Sequence, residues 1–110
     1  MKIDYLELPA IDFATMKAFY GAAFGWSFED WGPEYTAFSN AGLEGGFRKA
    51  DATSPRGGAL VILYADDLDA AEKAVIEAGG KIIEQHEFPG GRRFQFTDPT
   101  GNELAVWTKS

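Results

Sequence analysis

With 110 residues, 45% of them hydrophobic and 15% aromatic, the chain is sized for one folded domain with a modest core and is not a disordered sequence. A net charge of −7 and a pI near 4.5 argue against nucleic acid as a partner, since Arg48-Lys49 and Arg92-Arg93 are its only adjacent basic pairs. Cysteine is absent, which excludes disulfides and thiol chemistry, and no apolar run approaches the roughly 18 residues of a membrane span. Met1–Tyr5 has no uninterrupted apolar core, so no signal peptide is expected, and a soluble cytoplasmic protein is the default expectation.

In chain order, Lys2 to Leu8 alternates, with Ile3, Tyr5 and Glu7 on one face and Asp4, Leu6 and Leu8 on the other, and predicts a strand. Asp12 is placed to cap a helix whose apolar positions are Phe13, Met16, Tyr20 and Ala23, with Gly25 ending it. Trp26–Trp31, Glu34–Ser39 and Leu43–Lys49 read as three short strands joined by Gly-Pro and Asn-Ala-Gly turns. The order then repeats. Ala59–Tyr64 is a strand, and Asp66-Asp67 caps a helix striped by Leu68, Ala71, Val75 and Ala78. Gly79-Gly80 closes that helix where a left-handed residue is needed. Lys81–Phe88, Arg92–Thr97 and Glu103–Thr108 complete the copy.

A shift of 55 residues superposes Asp12 on Asp67, Phe13 on Leu68, Met16 on Ala71, Tyr20 on Val75 and Gly25 on Gly80. Two turns support the same repeat: Ser39-Asn40-Ala41-Gly42 before one strand, and Asp98-Pro99-Thr100-Gly101-Asn102 before the last. The expected fold is therefore α+β. It consists of a first βαβββ module over residues 1–49, a linker over 50–58 and a second module over 59–110, the linker segment from Asp51 to Gly58 being a candidate lid. One helix covers one face of a four-stranded sheet. It should cover the face of Leu6 and Leu8, leaving the other to meet the second module or a second chain, and a ligand would sit there.

Asp12 to Trp26 (Asp-x6-Phe-Tyr-x3-Phe-Gly-Trp), Gly79-Gly80 and the Asp98-Pro99-x-Gly101-Asn102 turn with its strand together resemble the vicinal oxygen chelate superfamily. That superfamily comprises glyoxalase I, bleomycin-resistance proteins and extradiol dioxygenases. The resemblance spans nearly the whole chain. It implies paired modules forming a curved, glyoxalase-like sheet around a cleft, often completed by homodimerisation and sometimes with modules exchanged between chains. It also implies metal ligands on the first and last strands of each module. Those positions carry Tyr5, Gly46, Leu60 and Ala105, of which only Tyr5 can ligate, and a phenol with a pKa near 10 is a reluctant ligand. A register shift to Val61 or Leu104 adds no donor. No cofactor is therefore expected, although Glu7, Glu44 and Glu103 together could hold a hard cation such as magnesium.

Strand alternation groups Tyr5 with Glu7, Glu44 with Gly46 and Arg48, Leu60 with Ile62 and Tyr64, and Glu103 with Ala105 and Trp107. Glu7 and Tyr5 are the candidate catalytic residues. Partial burial of Glu7 would suit proton transfer, whereas a structural ion pair with Arg48 is the plainer reading. Arg48 could hold a carboxylate or phosphate, or simply be a solvated strand end. Tyr5, Tyr64 and Trp107 could stack a flat ligand or form core or dimer interface. The single histidine, His86, is a general-base candidate or a polar strand residue. Gly45-Gly46 and Gly90-Gly91 lack the strand-to-helix setting of a phosphate loop. The sequence thus predicts a glyoxalase/bleomycin-resistance-like homodimer binding a small molecule in an apolar-aromatic cleft. Its ligand contacts would be Tyr5, Glu7, Glu44, Arg48, Leu60, Ile62, Tyr64, Glu103 and Trp107, without the family metal. The alternative is a lyase, isomerase or epimerase, possibly metal-assisted, on a small oxygenated substrate with Glu7 or Tyr5 moving a proton.

Overall fold

In the computed structural model, which describes residues 1–52 and 58–110, ten elements follow in order. The first five are β1 (Leu6–Ala10), α1 (Phe13–Phe24), β2 (Ser27–Asp30), β3 (Tyr35–Ser39) and β4 (Gly45–Lys49). Then come β5 (Val61–Tyr64), α2 (Leu68–Glu77), β6 (Lys81–Phe88), β7 (Gly91–Thr97) and β8 (Glu103–Lys109). They form two four-stranded sheets of matching order, β1-β4-β3-β2 and β5-β8-β7-β6, with the outer pair parallel in each. This is the α+β, twice-used βαβββ arrangement expected. Residues 53–57 of the expected linker and lid lie outside the described residues.

Both helices start on the aspartates that the sequence pointed to. The Asp12 carboxylate accepts from the amides of Ala14 (3.0 Å) and Thr15 (3.4 Å), and that of Asp67 from Ala70 (3.0 Å). Gly25 closes α1 in the left-handed region at φ 73°. Its conformational counterpart is Gly79 at φ 106°, not the Gly80 that the 55-residue shift selects, because α2 is the shorter helix. Gly80 serves packing instead: a Cβ there would come within 2.9 Å of the Phe19 ring and 2.7 Å of Val75. Strand β1 begins at Leu6 and not at Lys2. Its parallel neighbour β4 reaches back only to Gly45, so upstream amides have no ladder to join.

The helix-bearing side of each sheet faces that of the other, and one core fills the space between. Leu8, Phe38 and Phe47 from the first sheet meet Met16, Phe19 and Tyr20 of α1. Phe94, Phe96, Leu104 and Val106 of the second sheet and Val75 of α2 join the same cluster. The Phe96 ring lies 6.0 Å from that of Phe19 and 5.8 Å from that of Phe24, so α1 packs across the module boundary. Polar links seal the same seam. The Tyr20 hydroxyl donates to the Asp98 carboxylate (2.8 Å), and the Asn102 amide donates to the Pro9 carbonyl (2.8 Å). Asp98 also accepts from the Gly101 and Asn102 backbones, which makes the Asp-Pro-Thr-Gly-Asn turn a buried structural joint.

Candidate functional site

Because the modules join by their helix sides, the opposite face of each sheet is bare. Tyr5 (44% exposed) leads into that face of the first sheet, and Ile62 (46%), Tyr64 (45%) and Phe88 (40%) stand on that of the second. Ile62 and Tyr64 also line a cavity with Leu6, Phe38 and Leu43 of the first module.

The face of the first sheet is built around a missing side chain. Gly46 lies opposite Glu7 on β1 and Ala37 on β3. A Cβ on Gly46 would collide with the Tyr35 hydroxyl and come within 2.7 Å of the Thr36 carbonyl. The Tyr35 side chain thus fills the space that a residue at position 46 would use. Its hydroxyl is 2.6 Å from that of Tyr5. Burial pushes the Tyr35 phenol well above its ordinary value, and hydrogen bonding to Tyr5 and Glu7 with the charge of Glu7 adds to the rise. Arg48 stands exposed opposite Tyr35, and among the described residues it makes no ion pair with Glu7. Glu7 is itself exposed, so its own chain does not supply the partial burial that the sequence argument invoked. Glu44 is exposed just ahead of β4.

The second face is aromatic. Ile62 pairs with Ala105 and Tyr64 with Trp107. The Tyr64 and Trp107 rings meet edge to face at 5.1 Å, and Phe88 approaches Trp107 at 6.4 Å. Ile62, Phe88, Arg93 and Trp107 line a cavity of about 320 Å³. A β-bulge between Ile82 and Glu84 turns the rest of β6 so that Glu84, His86 and Phe88 share this face with Gln95 and Arg93. His86 Nε2 lies 2.8 Å from Glu84. Gln95 is buried and donates to Glu103 (2.6 Å), while its Oε1 has no partner. Leu60 is half-buried just before β5.

The predicted residues therefore fall into two groups, Tyr5, Glu7 and Arg48 on one sheet and Ile62, Tyr64, Glu103 and Trp107 on the other. Three contributors escaped the sequence reading. Arg93 and Phe88 follow from alternation along β7 and β6, and that signal was present. Tyr35 had none beyond the hole that Gly46 leaves.

The residues at the four metal positions do not fit a divalent ion. Gly46, Leu60 and Ala105 have no donor, the room beside Gly46 is filled by Tyr35, and the Tyr5 hydroxyl is engaged with Tyr35. Nor do Glu7, Glu44 and Glu103 gather: no group of three or more metal-binding side chains occurs among the described residues.

The family model described as the Glyoxalase/Bleomycin resistance protein/Dioxygenase superfamily matches residues 2–106. No curated protein matches. Among solved structures, the chain is similar to a glyoxalase/bleomycin resistance protein/dioxygenase family enzyme from Burkholderia phytofirmans PsJN. The TM-score is 0.82 at 20% identity, over 98% of this chain and 100% of that one. A lactoylglutathione lyase from Agrobacterium tumefaciens gives TM-score 0.75 at 22% identity, over 97% and 92% of the two chains. An antibiotic-binding protein from Streptomyces sp. CB03234 gives 0.71 at 24%, over 100% and 97%. At these identities the structures speak for the fold, and the match of nearly the whole length to the family model establishes that the chain belongs to the glyoxalase/bleomycin resistance protein/dioxygenase superfamily.

Proposed function

We propose that the protein is a cytoplasmic homodimer that binds a small organic molecule between the outer face of one chain's first sheet and that of its partner's second sheet. Binding proceeds without the family metal. The observation that carries this reading is the pair of bare faces, above all the aromatic cavity of Ile62, Phe88, Arg93 and Trp107. An apolar recess with a single cation at its rim suits a flat, partly polar ligand. Covering both faces with a second copy would also remove exposed Tyr5, Ile62, Tyr64 and Phe88 from water. The fold-level likeness to an antibiotic-binding protein is in keeping with sequestration.

The test uses a variant in which Trp26 and Trp31 are Phe, so that Trp107 alone reports. Titration with planar aromatic ligands, dyes and glycopeptides among them, should quench its fluorescence with one site per chain, and sedimentation should give a dimer. A monomer whose Trp107 emission no ligand changes would overturn the reading.

A second reading is favoured by the Tyr5–Tyr35 hydrogen bond beside Glu7. In it the protein is a lyase, isomerase or epimerase on a small oxygenated substrate, with Glu7 taking a proton and Tyr5 supplying one. Glu7→Gln should then abolish turnover while leaving ligand affinity in place. Unchanged turnover removes Glu7 as the base.

A further inference from the structure

The four strands of the second sheet bring one row of side chains together across its outer face. His86 on β6 pairs with Arg93 on β7, Arg93 with Trp107 on β8, and Trp107 with Tyr64 on β5. Neighbouring strands lie roughly 4.8 Å apart, so imidazole, guanidinium, indole and phenol start as immediate neighbours. The next row carries Glu84, Gln95, Ala105 and Ile62.

The acids near this row are already engaged. Glu103 accepts from Gln95 (2.6 Å), and Glu84 lies 2.8 Å from His86. On the helix side of the same sheet Arg92 holds Asp69 (3.1 Å), so the adjacent arginine is paired as well. Arg93 is half-buried, and among the described residues no ion pair or hydrogen bond falls to its guanidinium. A guanidinium keeps its charge in any protein, and one drawn part of the way out of water gains most from an anion.

Arg93 also borders the cavity of about 320 Å³ whose other walls are Ile62, Phe88 and Trp107. Small-molecule sites run from roughly 300 to 1,000 Å³, so this one has room for one ring and a short chain. Its walls are apolar or aromatic and its one formal charge is positive, on a chain whose net charge is −7. A lone positive point on an acidic protein selects the sign of its ligand. One guanidinium balances one negative charge, and its planar fork matches the two oxygens of a carboxylate. A phosphate monoester, close to doubly charged at neutral pH, calls for a second cation, and Arg93 is the only one among the described lining residues.

We propose that this cavity takes an aromatic monocarboxylate, its ring against Trp107, Ile62 and Phe88 and its carboxylate on the Arg93 guanidinium. The inference rests on the small-molecule-binding reading above and names the charge and class of the ligand for the second sheet's half of that site.

Three probes share a phenyl body and differ in charge: phenylacetate, phenylacetamide and phenethylamine. Each is titrated into the untagged, isotope-labelled protein and followed by NMR through the Trp107 indole N–H and the backbone signals. Phenylacetate should bind at least about ten-fold more tightly than phenylacetamide, the worth of one charge-assisted contact, with phenethylamine the weakest. Shifts should centre on Ile62, Phe88, Arg93 and Trp107. Arg93→Gln should bring phenylacetate down to the affinity of phenylacetamide and leave phenylacetamide unchanged, whereas a purely structural arginine would lower all three together. Arg93→Lys keeps the charge and loses the fork, so phenylacetate should fall between the two. Equal affinities for the three probes, a preference for phenethylamine, or selectivity for phenylacetate that survives Arg93→Gln overturns this inference. So do shifts centred on Tyr5 and Arg48, or no binding of phenylacetate. The parent reading has its own readout: it stands if planar uncharged dyes still quench Trp107, and it falls separately if they do not.

Discussion

The two modules share a scaffold and differ on the side that the scaffold leaves open. Each has an aspartate-capped helix, a left-handed glycine after it and a parallel outer strand pair. The bare face of the first sheet carries hydroxyls, a carboxylate and a guanidinium around a glycine, whereas the second sets the apolar group Ile62, Tyr64, Phe88 and Trp107 beside polar Glu84, His86, Arg93 and Gln95. A repeat that keeps its caps and alters its outer faces separates the residues that fold the chain from those that meet something else. The turns before the fourth strands show a related split. In the second module Asp98 is buried and accepts from Tyr20, Gly101 and Asn102, while in the first Asn40 is exposed and makes one bond, to the Gly25 carbonyl (3.0 Å).

The largest effect expected from breaking that asymmetry is at Asp98. Burial pushes its carboxyl up, and hydrogen bonds from Tyr20, Gly101 and Asn102 pull against the rise. Asp98→Ala orphans the Tyr20 hydroxyl and takes away the carboxylate that accepts from the Gly101 and Asn102 backbones at the seam between modules. It should cost about 4 kcal/mol in urea unfolding, the range for stripping one partner from a buried charged network. Asn40→Ala should cost about 1 kcal/mol, the worth of a single exposed bond. Equal costs would mean that the two turns do the same work.

What the sequence made legible was local. Asp12 and Asp67 could be read as caps, Gly25 as a left-handed stop and the strands by alternation, because each depends on residues within a few positions of one another. The seam was not legible. Phe19 and Phe24 look like an ordinary apolar stripe, and only the fold brings Phe96 beside them from more than seventy residues away. The repeat shift was off by one at Gly80 because α2 is the shorter helix, and that glycine is held by packing on Val75 of its own helix and on Phe19 of the other module. Among the site residues, Glu7 and Trp107 were named by alternation. Tyr35 escaped because nothing in a strand's own pattern tells which neighbour fills a hole left by glycine two strands' width from the edge.

An intermediate effect tests that hole. Gly46→Ala places a methyl against the Tyr35 hydroxyl and the Thr36 carbonyl. The tyrosine can swing away but the backbone oxygen cannot, so the change should cost about 2 kcal/mol by overpacking. The equivalent strand of the second sheet already carries a methyl at fully buried Ala105, opposite Ile62. There the reverse change, Ala105→Gly, should destabilise by about 1 kcal/mol through lost burial and added chain entropy. Adding Tyr35→Ala to Gly46→Ala should recover only part of the loss, because Thr36 remains in place. Full recovery would assign the whole constraint to Tyr35, and no recovery would assign it to the backbone.

The smallest effect distinguishes buried Tyr20 from half-buried Tyr35 by pH. Burial raises both, Tyr20 at the seam with Asp98 adding to the rise, and Tyr35 on the open face with Tyr5 and Glu7 adding. In the unfolded chain a phenol ionises near pH 10. Above that pH the folded form still holds its proton while the unfolded form gives it up, so the unfolded state binds fewer protons and stability falls as pH rises. The stabilising contribution is therefore complete below about pH 10 and is lost on going higher, at up to about 1.4 kcal/mol per pH unit for buried Tyr20 and by much less for Tyr35, whose face is open to solvent. Tyr35→Phe removes one of the two. Its stability relative to the parent should be constant from pH 6 to 9 and should then climb toward pH 11, read as the difference between urea midpoints. A flat difference throughout would show that Tyr35 ionises as freely in the fold as out of it, and that the open face does not hold it neutral.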